Sequence, residues 1–257
     1  VELTHRSPDI TIAALMSRHE DALLIGDRTL ARSSLHEART LAAASQHPYW
    51  RWLVSTWSVL DAIIDGHLDH AEVAAFDALG LQAEHPEAIA CLGVNLVDIR
   101  LFQGRSGEVV DLLAQAAEAN PHIPTYRAVL ALCLAESGDA PGATQQYLRF
   151  ARREFLDVPD DTNRLLCLAV LADVAATVGD ADGAARLLGL LAPHAARHVV
   201  LNCFGGGGSY WGPVATQMGR LAALCGDDDA ASAHYSAARR AARAFGAPLA
   251  LARVPPG

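Results

Sequence analysis

The chain contains no lysine; all 20 of its basic residues are arginine. A Walker-type loop needs a lysine amine on the phosphates, and Schiff-base chemistry needs a lysine nucleophile, so both are excluded. Cys-x-x-Cys pairs are missing too. The five cysteines, Cys91, Cys133, Cys167, Cys203 and Cys225, are scattered and odd in number. That pattern predicts buried free thiols in a reducing cytoplasm. No apolar run reaches the ~18 residues of a membrane span, and no N-terminal stretch has the order of a signal peptide. A chain that opens on Val1 in place of Met is expected to be a trimmed or excised piece of a longer one.

Positive charge is in short supply. Acidic residues number 29, and the net charge is −9 at pH 7, which weighs against gripping a phosphate backbone. The one basic cluster, Arg239, Arg240 and Arg243, reads as a solvated helix face. Aromatic residues make up 6% of the chain, and β-branched residues are few, so sheet is disfavoured. No stretch alternates with period two between hairpin turns, and no sheet is predicted.

What the sequence does have is alanine, leucine and a repeat. Six sites share one pattern: Gly26-Asp27, Gly66-His67, Gly104-Arg105, Gly138-Asp139, Gly179-Asp180 and Gly226-Asp227. Five residues after each glycine stands Ala31, Ala71, Val109, Ala143, Ala184 or Ala231. A glycine can end a helix in the left-handed conformation, and the Asp that follows can cap the next helix. The small residue five positions on lets the second helix lie close to the first. The glycines are 40, 38, 34, 41 and 47 residues apart, and a helix–turn–helix of that length is the tetratricopeptide (TPR) unit.

Apolar periods agree: Ile89, Leu92, Leu96 and Ile99 share one helical face, and Val214, Met218, Leu221 and Cys225 share another. The stretch from Leu165 to Val178 is apolar nearly all round, as for a helix between neighbours. The predicted fold is therefore all-α: one TPR-like, right-handed solenoid of helical hairpins over residues 1–257, about six pairs. Its expected helices cover 8–25, 28–45, 48–65, 68–83, 86–103, 106–118, 123–137, 140–154, 161–178, 181–192, 210–225 and 228–245. One irregular insertion falls at about 194–211. There Gly205 to Gly208 suggest either an anion-binding nest or a flexible connector over the inner face.

No catalytic or metal motif is complete, and no cofactor is implied. His67 and His70 would need a third ligand to hold a metal. His194 and His198 could share a helical face, but no nucleophile or acid is placed beside them. The candidate ligand surface is instead the set Trp50, Trp57, Arg100, Tyr126, Arg127, Asn163, Tyr210 and Trp211. First helices of TPR units line the concave face, where arginine suits carboxylates or phosphates and tryptophan suits hot spots. The competing readings are core packing for the tryptophans and ion pairs with acids such as Asp98 or Asp161 for the arginines.

Five blocks carry a resemblance: YWRWLVSTWSVLDAIIDGHLDHAE (49–72), VDIRLFQGR (97–105), PHIPTYRAVLALCLAESGD (121–139), DDTNRLLCLAVLADVAATVGD (160–180) and the stretch 190–238. In this order they resemble the C-terminal TPR-like region of actinobacterial LuxR-type large ATP-binding regulators and of related ATPase regulators associated with adenylate cyclase domains. The chain departs from that group near its end, where Thr216 and Gln217 replace an arginine and a tyrosine, and at Asn163-Arg164, where the group has Asn-Trp. The resemblance implies a regulatory module that binds a protein, a peptide or a small-molecule effector on its concave face. Upstream ATPase and output domains would do the chemistry. Two alternatives are a free-standing enzyme or carrier acting on a small molecule of natural-product type near the glycine-rich loop, and a self-association arm forming a homodimer.

Overall fold

The computed structural model describes residues 8–45, 47–201 and 208–256. Twelve α-helices among them follow the repeat: α1 (Pro8–Ile25), α2 (Arg28–Ala44), α3 (Pro48–Ile64), α4 (Leu68–Leu81), α5 (Pro86–Phe102), α6 (Val110–Ala119), α7 (Pro124–Glu136), α8 (Ala140–Ala151), α9 (Arg164–Val178), α10 (Ala181–Leu191), α11 (Val214–Leu224) and α12 (Asp228–Phe245). They pack as consecutive hairpins, with α1 on α2, α3 on α4, α7 on α8, α9 on α10 and α11 on α12; in the third pair α5 meets the 3-10 turn that leads into α6, and α6 itself packs on α7. A short α13 (Pro248–Ala252) follows.

The repeat signature has a direct structural meaning. All six glycines take φ between +70° and +92°, the left-handed conformation that closes a helix. Asp27, Asp139, Asp180 and Asp227 each accept a hydrogen bond from the backbone N–H three residues on. At His67 and Arg105 no side chain caps the next helix, and after Arg105 the chain starts with a 3-10 turn, Ser106–Val109, before α6. The residue five positions after each glycine is buried in every pair. Helix α9 is buried on all sides from Leu166 to Ala175, as its unbroken apolar run requires.

The expectation of no sheet is corrected. Residues His198–Leu201 (β1) and Ser209–Pro213 (β2) pair as an antiparallel two-stranded ribbon. Helix α11 accordingly begins at Val214 and not at residue 210. The ribbon lies against the first helices α1, α3, α5, α9 and α11 and against α12 and α13, so it occupies the inner side of the solenoid. Each of its faces packs on an apolar cluster. Val199, Leu201 and Trp211 join the large cluster around α7 and α9. Val200 and Tyr210 join the N-terminal cluster of α1, α2 and α3. Successive residues do alternate between two sides, but each side is a core, so no apolar–polar alternation appears in the sequence. A bulge between Val199 and Val200 sits opposite Gly212, whose φ of +95° only glycine adopts readily.

Three cysteines, Cys91, Cys133 and Cys167, are buried and free, and burial pushes the Cys133 and Cys167 thiols up to about 12. Cys225 is free but exposed, against the expectation of burial. Cys203 and Gly205 to Gly207 lie outside the described residues. No helix among the described residues is long and apolar enough to cross a membrane.

Candidate ligand-binding site

Between α5, α6, α7 and the start of α9, and against the ribbon, lies a cavity of about 570 Å³. Its walls are mainly apolar: Val94 and Val97 from α5, Leu113 from α6, Val129 from α7, Leu166 from α9 and Leu201 from β1. Ile89 and Leu112, 60% and 43% exposed, line it where it meets solvent. A few polar groups converge on it, including Asn120, Thr125 and Asn163. Size and lining both suit a small organic molecule.

The deepest charged group is Asp98 on α5, 3% exposed. The Ser209 hydroxyl donates to its Oδ1 at 2.8 Å, and the Tyr210 backbone N–H donates to the same carboxyl. Its Oδ2 is buried with no partner. Burial outweighs those two donors and a distant Arg253, and raises the carboxyl pKa to about 7. The ribbon is what builds this site, since it brings Ser209 and Trp211 to a helix more than a hundred residues away.

Trp211 closes one side of the cavity through a polar cluster behind it. Its indole N–H donates to Oδ2 of Asp173 at 3.0 Å. Arg220 pairs with Oδ1 of Asp173 at 2.5 Å. Arg253 holds its guanidinium 4.4 Å from the centre of the Trp211 ring and pairs with Glu136 at 3.4 Å. Burial would raise the Asp173 carboxyl, but Arg220, Arg253 and the Trp211 N–H outweigh it and hold the pKa below its ordinary value.

Of the eight residues singled out in the sequence, Tyr126, Asn163 and Trp211 line this cavity. Tyr210 is buried beside it, with its hydroxyl hydrogen-bonded to Nδ1 of His198 at 2.7 Å. Trp57 is 1% exposed, edge-on to His19 with centroids 5.1 Å apart. Trp50 is half-buried against the N-terminal core. Arg100 is gripped by Glu72 and Glu108, not by Asp98 two positions before it. Arg127 donates to Gln146 at 3.1 Å. His198 is buried, which lowers its pKa to about 4. Among the described residues no three His, Cys, Asp or Glu side chains gather to hold a metal ion. Sequence reasoning takes Asp98 only as an ion-pair partner for an arginine, although it stands seven and four residues after Cys91 and Val94, on the face of the helix that lines the cavity.

No family model and no curated protein matches the chain. Solved structures similar to it include a tetratricopeptide repeat protein from Parabacteroides merdae ATCC 43184, at 15% identity and a TM-score of 0.41 over 88% of this chain and 78% of that one. Another is the structure of Naa15/Naa10 bound to HypK-THB, at 16% identity and a TM-score of 0.33 over 90% of this chain and 36% of that one.

Proposed function

We propose that this chain is a regulatory ligand-binding module of helical hairpins that holds a small-molecule effector in the cavity between α5, α6, α7, α9 and the ribbon. The observation that carries this reading is an apolar cavity of about 570 Å³ with one buried, half-partnered carboxyl in its wall. A cavity with few placed polar groups is the usual form of a small-molecule site. The ribbon already occupies the inner side along five first helices, which favours a small molecule over a long peptide. The five sequence blocks support a place beside an ATPase and an output domain, as in the regulators they resemble.

The test is a titration with the neutral probe N-phenyl-1-naphthylamine. The wild type binds it saturably with one site, and Val94→Trp, which fills the cavity, loses that binding while keeping its helical circular dichroism. Equal binding by both proteins would overturn the reading. A second reading, an enzyme or carrier acting on a small molecule in the same cavity, is favoured by the Asp98 carboxyl near 7, a value suited to proton transfer at neutral pH. Turnover of a bound compound by the wild type but not by Asp98→Asn is its measurement.

A further inference from the structure

Asp98 is a buried carboxyl with no ion-pair partner among the described residues. Its Oδ1 takes the Ser209 hydroxyl, and the Tyr210 N–H donates to the same carboxyl, an arrangement that favours the ionised form. Its Oδ2 takes no donor. Among the described residues no arginine pairs with it. Arg253 pairs with Glu136, lies 3.9 Å from Asp173 and rests on the faces of Phe102 and Trp211; its Nη1 is buried without a hydrogen-bond partner, and its charge reaches Asp98 without forming a pair. The nearby Arg100 is held by Glu72 and Glu108. The cavity lining contains two acids, Glu87 and Asp98, and among the described residues no arginine or histidine. A carboxylate or phosphate ligand would therefore meet no positive partner there and would face a buried carboxyl. A neutral acceptor would satisfy Oδ2 only while Asp98 keeps its proton, and would leave the ionised form without a cation. An ammonium supplies both the missing hydrogen bond and the missing charge.

We propose that the cavity takes an organic cation: an apolar molecule with one protonated amine, whose N–H donates to Oδ2 of Asp98 while its body lies against Val94, Val97, Leu113 and Leu166. This rests on the cavity reading above and names its ligand class. The titratable and charged groups that share the cavity wall with Asp98 are Glu87 and Cys91 on its own helix and Tyr126 on α7, and Cys133 on α7 and Arg253 beyond α13 lie close enough to couple to it. Cys133 stays neutral, its thiol raised by burial. Amine affinity therefore follows the ionisation of Asp98 and rises as pH goes from 6 to 8.

The experiment compares three probes of one shape, 2-(1-naphthyl)ethylamine, 2-(1-naphthyl)ethanol and 1-naphthylpropionate, by calorimetric titration of the whole chain at pH 6 and pH 8. The amine is expected to bind tightest at pH 8, and Asp98→Asn to weaken it by about 10- to 100-fold, the worth of a hydrogen bond to a charged group. Alcohol affinity should change little with pH or in Asp98→Asn. Ser209→Ala, which keeps the carboxyl, should retain a preference for the amine. If the alcohol binds as well as the amine and Val94→Trp abolishes both, the cation proposal falls and the cavity reading stands. If the carboxylate binds best, the proposal falls in the same way. If no probe binds wild type better than Val94→Trp, both fall together.

Discussion

The guanidinium carbon of Arg28, at the start of α2, lies 5.3 Å from the centre of the Phe245 ring, at the end of α12. The first and last hairpins of the solenoid therefore meet. Arg28 also pairs with Asp61 at 2.6 Å and with Asp65 at 3.1 Å, both at the end of α3. Phe245 in turn stacks on Tyr210, 5.1 Å between centroids, and packs 4.7 Å from His198. The ribbon is held in this seam.

Phe245→Ala should therefore cost far more than a terminal-helix residue normally would. Phe245 is 2% exposed, and removing a buried phenyl ring costs about 3–5 kcal/mol. Urea unfolding gives the number. A loss below about 1 kcal/mol, well under that range, would mean that the end hairpins do not depend on each other.

Two glycines with nearly the same backbone separate turn chemistry from ribbon docking. Gly26 and Gly138 both have positive φ, +80° and +92°. A Cβ at Gly138 meets nothing within 4 Å, whereas one at Gly26 comes to 2.7 Å from Nε2 of His198. Gly138→Ala should lose about 1–2 kcal/mol from the left-handed backbone alone. Gly26→Ala should lose more, by about 1–3 kcal/mol of overpacking. Equal losses in thermal melts would place His198 elsewhere in solution.

Asp98→Asn should stabilise the protein at high pH. The carboxyl is raised from an ordinary 3.8 to about 7, so between those values the folded state holds a proton that the unfolded state has released. Stability from this group is present below pH 4 and is lost as pH rises through 7. A tenfold difference in proton affinity between the two states is worth about 1.4 kcal/mol. The buried amide of Asn returns part of that as an unsatisfied donor, leaving a gain of about 1–3 kcal/mol at pH 8 and none near pH 4. His198, which titrates near 4, is common to both proteins and cancels. Melts at pH 4.5 and pH 8 check the sign.

Arg220→Met should show the opposite pH trend. In the wild type Asp173 is held below its ordinary value, so its contribution is present above the unfolded pKa and is lost as pH falls through the folded one. Without Arg220, burial is the largest influence and raises the carboxyl. The variant should lose about 3 kcal/mol near neutral pH, the cost of breaking a buried pair. The gap to wild type should narrow toward pH 4. A pH-independent gap would show that Arg220 acts through packing alone.

How much of this was legible depended on distance along the chain. The hairpins were readable because their determinants are local: a left-handed glycine, a capping Asp and a buried Ala sit within six residues, as at Gly26, Asp27 and Ala31. The ribbon was not, because Val199, Val200 and Leu201 are all buried and spell no period of two. The cavity was half-legible. Tyr126, Asn163 and Trp211 stood out by type, but Asp98 looked like a salt-bridge partner for Arg100. On a helix, residues two apart do not face each other, and the ribbon that meets Asp98 is encoded at Ser209 and Tyr210.

The ribbon also changes what kind of object the molecule is in folding. A repeat array whose units touch only their neighbours frays from its ends and tolerates the loss of a terminal unit. Here strands at His198–Leu201 and Ser209–Pro213 lean on α1 and α3 as well as on α9 and α11, so early and late repeats share one partner. During synthesis the first repeats emerge before the segment that covers their inner face has been made. Their stability arrives late and all at once, and unfolding of the finished chain becomes a single concerted event in place of progressive unzipping.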